Sequence, residues 1–195
     1  KTYIASFMGI GPGKQHSDVH NKVFMHTLGE FGWHEMPDVP SQQRLQGRIA
    51  ASAVALNNNF FVFGGFAVNA DGTEQTAADS YRFDPITKRY TRLNDIPVPV
   101  DDAVALTYQN RYIYLVSGWS DHGNVNLVQV FDNYTQRWSQ ATPFPGKPVF
   151  GLASAMADNQ MLVCDGVALQ YFGDKKREYK SEPACYLGSV GDNAN

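Results

Sequence analysis

The sequence predicts an all-β repeat protein, on three observations. First, a polar turn, an apolar strand and a glycine recur at a period of about 50 residues, in segments 57–65, 110–118 and 158–166. Second, a strand of small residues precedes each segment, and a turn followed by an aromatic residue comes after the first two. Third, no stretch has the apolar spacing of an amphipathic helix. Short strands bounded by turn signals at this period are typical of all-β repeats.

Length and composition restrict the classes of function. A chain of 195 residues that is 43% hydrophobic has enough apolar material for one packed domain, which we take as residues 1–195. The net charge of −3, without a basic block, argues against nucleic-acid binding. No stretch approaches 18 apolar residues, so we expect no membrane span. The sequence begins at Lys1 without a leader, and we interpret the chain as processed or as a fragment.

The repeat unit resembles a known family. A strand that ends in Gly64-Gly65 is followed by an aromatic strand, and then by Tyr90 or, one period later, Trp138, which opens a last strand. This pattern resembles the Kelch repeat, a four-stranded blade of a β-propeller. Over residues 45–120 the chain more closely resembles the galactose-oxidase-like Kelch proteins, including the sialic-acid mutarotases (N-acetylneuraminate epimerases). That likeness rests on Arg48, Phe61-Val62-Phe63-Gly64-Gly65, the insertion 69–74 and Tyr81-Arg82-Phe83-Asp84-Pro85.

The resemblance implies antiparallel blades whose strands are lettered a to d from the propeller axis outward. About three and a half blades are present: 3–40 without its innermost strand, 48–95, 101–143, and 149–190 incomplete. Propellers close with four to eight blades. We therefore expect part of a larger propeller of six to seven blades, completed by its remaining blades or by a second copy; a closed four-bladed ring is the alternative. Trp33, Tyr90 and Trp138 are expected to fill the space between blades.

Strand alternation predicts which end of the propeller carries function. The b-to-c connections and the residues just before each strand a emerge at one end, and the a-to-b and c-to-d turns at the other. The connections are long, at 10–20, 66–79, 119–126 and 167–183, whereas the opposite turns are short. Long loops on a rigid scaffold are the usual carriers of function.

Eight residues at this end are candidates for a sugar site. We assign Arg48, Asp101, Asp102 and His122 as catalytic and Phe66, Trp119, Asp121 and Phe150 as substrate-binding. Aromatic rings stack on the apolar face of a sugar, and charged groups hydrogen-bond its hydroxyls. Each has a structural alternative: Arg48 pairing with a nearby carboxylate, one of the two adjacent aspartates capping a turn, and Asp121-His122 forming an ordinary polar loop.

We expect neither a metal nor another cofactor. His16 and His20 have a zinc-like spacing but lie beside Gly11-Pro12-Gly13, which favours a loop. The copper-radical oxidases that share the fold need a tyrosine joined to a cysteine, and neither cysteine has a matching context. Cys164 and Cys185 lie in neighbouring predicted strands, but a disulfide also needs suitable side-chain directions. We predict two free thiols.

These interpretations favour a cofactor-independent sugar mutarotase or epimerase, a small-molecule sugar as partner, and, from the resemblance alone, a periplasmic or secreted location. The alternative is a non-catalytic Kelch scaffold that binds a protein or glycan. A deep polar pocket would favour the enzyme, and a shallow rim the scaffold.

Overall fold

The computed structural model describes residues 1–41, 45–121, 123–172, 176–192 and 194, with only the backbone described at 171 and 172. Twenty strands and one short 3₁₀ turn (His16–Asp18) account for its regular structure. The strands are β1 (Tyr3–Ile10), β2 (Val19–Thr27), β3 (His34–Met36), β4 (Ser52–Leu56), β5 (Asn59–Phe63), β6 (Phe66–Val68), β7 (Glu74–Thr76), β8 (Ser80–Asp84), β9 (Arg89–Arg92), β10 (Val104–Tyr108), β11 (Tyr112–Val116), β12 (Trp119–Ser120), β13 (Gly123–Asn124), β14 (Val128–Asp132), β15 (Arg137–Gln140), β16 (Ala153–Ala157), β17 (Gln160–Cys164), β18 (Val167–Phe172), β19 (Lys176–Ser181) and β20 (Cys185–Ser189). Within these ranges, no helix has the length and apolarity needed to cross a bilayer.

Four antiparallel sheets form successive blades, which confirms the predicted all-β propeller architecture. Blades 2 and 3 have all four strands, in the orders β4-β5-β8-β9 and β10-β11-β14-β15. Blade 1 is β1-β2-β3, without a strand a, and blade 4 is β16-β17-β20, without a paired strand d in the part of the chain that the structure describes. Three of the b-to-c connections predicted as loops contain short hairpins: β6-β7, β12-β13 and β18-β19.

Glycines at the end of each strand b allow neighbouring blades to approach closely. The N–H of Gly65 donates to the carbonyl of Val100 at 3.2 Å, and the N–H of Gly118 donates to that of Val149 at 2.8 Å. Gly64 is left-handed at φ 60°, and a Cβ there would overlap the carbonyl oxygen of Val100. At the glycine that the repeats share, a Cβ would come within 2.8 Å of the carbonyl oxygen of Ile49 at Gly65 and within 2.7 Å of that of Asp101 at Gly118. These close approaches to backbone explain why the repeat ends in glycine.

The core consists of three clusters, one at each junction between successive blades. Alternate residues of one strand b face opposite clusters: Phe61 and Phe63 pack toward blade 3, and Val62 packs toward blade 1. Trp138 packs 5.1 Å from Phe131 in the cluster between blades 2 and 3, as predicted. A sheet with two buried faces explains the continuous apolar runs in these strands.

The two other closing aromatics differ. Tyr90 lies 4.8 Å from Phe83 and packs between blades 1 and 2, as predicted. Trp33 is 53% exposed, so its assignment to an inter-blade core was wrong. It precedes β3 instead of lying within it, and its ring contacts His26 at the surface, 5.6 Å between centroids.

The prediction of two free thiols was also wrong. Cys164 in β17 and Cys185 in β20 are directly paired across the sheet, with α-carbons 4.0 Å apart, and form a disulfide. Residue 185 does lie in a strand c beside β17, as the sequence indicated. The exact pairing register, which the sequence did not supply, brings the two sulfurs together.

Candidate functional site

A cleft of about 510 Å³ lies at the end of the propeller where the three hairpins emerge. Six of the eight predicted site residues line it: Phe66, Asp101, Asp102, Trp119, Asp121 and Phe150. The remaining lining residues are Gly72, Thr73, Glu74, Gln75, Thr76, Arg177 and Tyr179. Residues from three successive blades therefore meet in one place.

A repeated backbone pairing brings these side chains together. In each of blades 2 to 4, a residue just before strand a bridges to the residue that follows the glycine ending strand b. In blade 3 this bridge joins Asp101 to Trp119, through two hydrogen bonds of 2.9 Å. In blade 4 it joins Phe150 to Val167. Each bridge contributes at least one residue to the lining of the cleft: Phe66 in blade 2, Asp101 and Trp119 in blade 3, and Phe150 in blade 4.

Asp101 is the most deeply buried acid of the cleft, with 3% of its surface exposed. Its Oδ2 accepts a hydrogen bond from Thr76 Oγ1 at 3.0 Å. Burial raises its pKa to about 7, and the nearby charges of Asp102, Glu74 and Asp121 act in the same direction, whereas the bond from Thr76 opposes the shift. Near neutral pH this carboxyl therefore populates both its protonated and its ionised form.

Asp102 and Asp121, like Glu74, are further acidic residues that line the cleft. Asp102 has a left-handed backbone at φ 49°, and burial raises the pKa of its carboxyl. Its N–H donates to the carbonyl of Ala50 and its own carbonyl accepts from Gly151, so it links the three inner segments. Asp121 Oδ1 accepts the backbone N–H of Thr76 at 3.0 Å and so ties the blade 3 hairpin to the blade 2 hairpin.

The aromatic wall consists of Trp119, Phe150 and Tyr179. The rings of Trp119 and Phe150 meet edge to face with centroids 6.0 Å apart, and those of Phe150 and Tyr179 do so at 5.9 Å. The Arg177 guanidinium carbon lies 5.7 Å from the centroid of Trp119. This arrangement combines apolar ring faces, carboxylates and a guanidinium in one opening.

The sequence analysis did not identify Arg177 and Tyr179, because the mixed charges of residues 174–178 are typical of a solvated loop. The structure places both in β19, where residues two apart point to the same face of a hairpin. The alternation of Arg177 and Tyr179 was the available signal. The sequence did not show that this connection folds back as a hairpin, so the alternation did not indicate where the two side chains point.

Arg48, a predicted catalytic residue, does not line the cleft. Arg48 has no exposed surface, and its Nη1 lies 3.1 Å from both Asp79 Oδ1 and the carbonyl oxygen of Gly64. Its catalytic assignment is corrected: the guanidinium pairs with a neighbouring carboxylate, which was the structural alternative. His122 lies outside the described residues.

A second groove is larger, at about 1160 Å³, but its lining contains none of the predicted site residues that the structure describes. It lies between blades 1 and 2 toward the opposite end, and turn residues such as Asn58, Pro85 and Lys88 contribute to its lining. We therefore place the candidate site in the smaller cleft. Among the residues that the structure describes, His, Cys, Asp and Glu side chains form no group of three suited to a metal ion.

Comparison with known proteins places the repeat in a family. The family model described as the KLHDC2/KLHL20/DRC7 Kelch-repeats domain matches residues 2–185. The chain belongs to the Kelch-repeat family. Kelch-like protein 15 of Gallus gallus is 25% identical over 154 residues, which cover 78% of this Kelch chain and 30% of the relative. Kelch-like protein 25 of Homo sapiens is 32% identical over 98 residues, which cover 50% and 15% of the two chains.

A solved structure of YjhT has a similar fold, with a TM-score of 0.69 and 16% sequence identity. The match covers 93% of this chain and 62% of that one. At this identity the likeness concerns the fold alone. The Kelch chain spans less than a third of the length of the curated relatives described above.

Proposed function

We propose that this Kelch propeller binds a carbohydrate in the cleft between its b-to-c hairpins. The observation that supports the proposal is the convergence of two aromatic rings, Trp119 and Phe150, with the buried carboxyl group of Asp101 and the half-buried one of Asp102. Sugars present an apolar face that stacks on aromatic rings and hydroxyls that bond to carboxylates. The two kinds of group line one opening of about 510 Å³.

We propose further that the site catalyses mutarotation. Protonated Asp101 donates its proton to the ring oxygen while ionised Asp102 takes the proton of the anomeric hydroxyl, and the ring carbon–oxygen bond breaks to leave an open-chain carbonyl. Rotation about the adjacent carbon–carbon bond and the reverse transfers then close the ring as the other anomer. A pKa of about 7 at Asp101 suits this proton exchange, because a general acid works best when its pKa lies near the operating pH. The reaction needs no cofactor.

The second candidate is a non-catalytic scaffold for a protein or glycan partner. The observation that favours it is exposure of the hairpins that border the cleft: residues 71–74 and the whole of β19 are exposed. A partner chain would reach these strands directly from solvent. A scaffold of this kind would use the same aromatic residues but would not need the proton of Asp101.

Titration calorimetry with a panel of sugars, N-acetylneuraminate included, tests binding, and NMR exchange between anomers tests catalysis. Trp119→Ala is expected to weaken sugar binding by about tenfold or more, whereas Asp101→Asn should abolish anomer exchange with a smaller effect on affinity. Lys88→Ala and Gln136→Ala, at the opposite end, are the controls and should change neither. Equal effects of both sets would refute the assigned end of the propeller. Binding without exchange would favour the scaffold.

A further inference from the structure

The Cys164–Cys185 disulfide lies at the base of the hairpin that brings Arg177 and Tyr179 to the cleft. The two cysteines are the last paired residues of β17 and β20 before those strands separate into the connection that contains β18 and β19. Directly beyond them, the N–H of Asp165 donates to the carbonyl of Ala184 at 2.9 Å. The disulfide therefore joins the two ends of the connection that contains β18 and β19.

The equivalent positions in the complete blades have no such bond. Strands b and c end their pairing at Phe63 opposite Ser80 in blade 2 and at Val116 opposite Val128 in blade 3. In both blades strand c also pairs on its other side with a strand d. In blade 4, within the described residues, β20 pairs with β17 alone. Among these three blades, the disulfide is therefore a constraint that only blade 4 has where strands b and c end their pairing.

The blade 4 hairpin is longer than the other two, and its outer strand is exposed. Its strands are six residues each, whereas β6 and β7 have three and β12 and β13 have two. Every residue of β19 is exposed. The blade 2 hairpin is held by the bonds of Thr76 to Asp101 and Asp121. The backbone anchors of the blade 4 hairpin instead lie near its base, where Val167 bridges to Phe150 and Glu182 bonds to Gly166.

We propose that the disulfide is a positioning element of the cleft: it fixes the base of the β18-β19 hairpin and thereby holds Arg177 against Trp119 and Tyr179 against Phe150. Its reduction releases the hairpin and weakens ligand binding while the inter-blade cores stay packed. The effect on binding rests on the proposed function, but the effect on the hairpin does not. Cys164 and Cys185 act through Arg177 and Tyr179, without contacting the ligand.

Limited trypsin digestion of the full chain, with and without dithiothreitol, tests the hairpin directly. Reduction consumes one dithiothreitol, which forms its own cyclic disulfide and leaves two thiols on the protein. We expect cleavage after Lys176, Arg177 or Lys180 to become faster by on the order of tenfold, and cleavage after Arg111, beside β11, to be unchanged. The Cys164→Ser/Cys185→Ser variant should be cleaved rapidly in both conditions. Unchanged hairpin cleavage, or equal acceleration at Arg111, would overturn the proposal.

Sugar affinity supplies the second measurement, by the same calorimetry. Reduction should weaken binding to the wild-type chain and have no further effect on the Arg177→Ala/Tyr179→Ala variant, because the disulfide acts through those side chains. An equal loss on reduction in both proteins would overturn the positioning role. If no sugar binds in any state, the proposed carbohydrate function fails, and the trypsin result still decides whether the disulfide holds the hairpin.

Discussion

At the residue scale, Asp101 shows how burial and nearby like charges adjust an ordinary carboxyl. It is almost fully covered, it has one hydrogen bond from Thr76, and three other acids face the same cleft. All of these acids raise its pKa, and the largest cause is the loss of water around the carboxylate. Such a group is useful for proton transfer and costs stability when it is ionised.

The raised pKa predicts a pH-dependent stability that Asp101→Asn removes. The folded chain holds this proton up to a pKa of about 7, whereas the unfolded chain loses it near the unperturbed value of 3.8. The free energy of unfolding therefore falls as the pH rises from about 4 to about 7, and the loss is complete above that range. Urea unfolding at pH 4.5 and pH 8 should show the variant gaining about 3 kcal/mol relative to wild type between the two conditions. A constant difference would contradict the raised pKa.

Arg48 supports a second prediction at this scale. Its guanidinium and the Asp79 carboxylate are both buried, so Arg48→Ala leaves an unpaired charge without water around it. We expect a loss of about 3–5 kcal/mol in the free energy of unfolding, measured by urea denaturation, and a smaller loss for Arg48→Ala/Asp79→Ala than the sum of the single changes. Lys22→Ala, which breaks an exposed pair with Glu35, is the control and should change little. An equally small effect of Arg48→Ala would contradict the buried pairing.

At the scale of elements, the junction between blades depends on backbone conformation as much as on apolar contacts. Gly64→Ala puts a methyl group into the carbonyl oxygen of Val100, which also accepts the bond from Gly65. We expect a loss of about 2–4 kcal/mol, measured by thermal or urea unfolding. Gly29→Ala is the matched control, because Gly29 is also left-handed, at φ 86°, but has open space around it; it should cost about 1 kcal/mol. Equal costs would show that backbone conformation alone, and not the close approach, requires glycine.

At the scale of the whole molecule, the outer face of blade 4 is exposed. The corresponding face of blade 3 is buried against blade 4. Leu162 and Leu187 occupy the repeat positions of Tyr114 and Val130, which blade 4 buries in blade 3. Here the two leucines are 40% and 66% exposed. An apolar row on an open sheet face favours association with another surface.

This exposure predicts self-association of the 195-residue chain. Sedimentation velocity should show concentration-dependent oligomers, and Leu162→Glu/Leu187→Glu should shift the distribution toward monomer by like-charge repulsion and loss of apolar area. Ile86→Glu, at an apolar residue that is 71% exposed in the turn between β8 and β9, should leave the distribution unchanged. A monodisperse wild-type monomer at all concentrations would contradict the prediction.

The sequence by itself determined the repeat, and through it the all-β blade architecture and the end of the propeller where six predicted residues meet. These properties follow from local patterns. The turn, the apolar strand and the glycine recur because each blade packs against its neighbours through the same strand faces. Phe66, Trp119 and Phe150 were placed by their position in the repeat, with no knowledge of their neighbours.

Only the tertiary structure decided the remaining features. Arg48 was buried against Asp79 rather than exposed in the cleft, Arg177 and Tyr179 came to the site on a hairpin, and the register of β17 and β20 joined Cys164 to Cys185. Each depends on which way a side chain points or which residue lies opposite, across strands brought together by folding. A one-residue change of register reverses the direction of every side chain in a strand, so a periodic pattern restricts the fold far more than it restricts individual contacts.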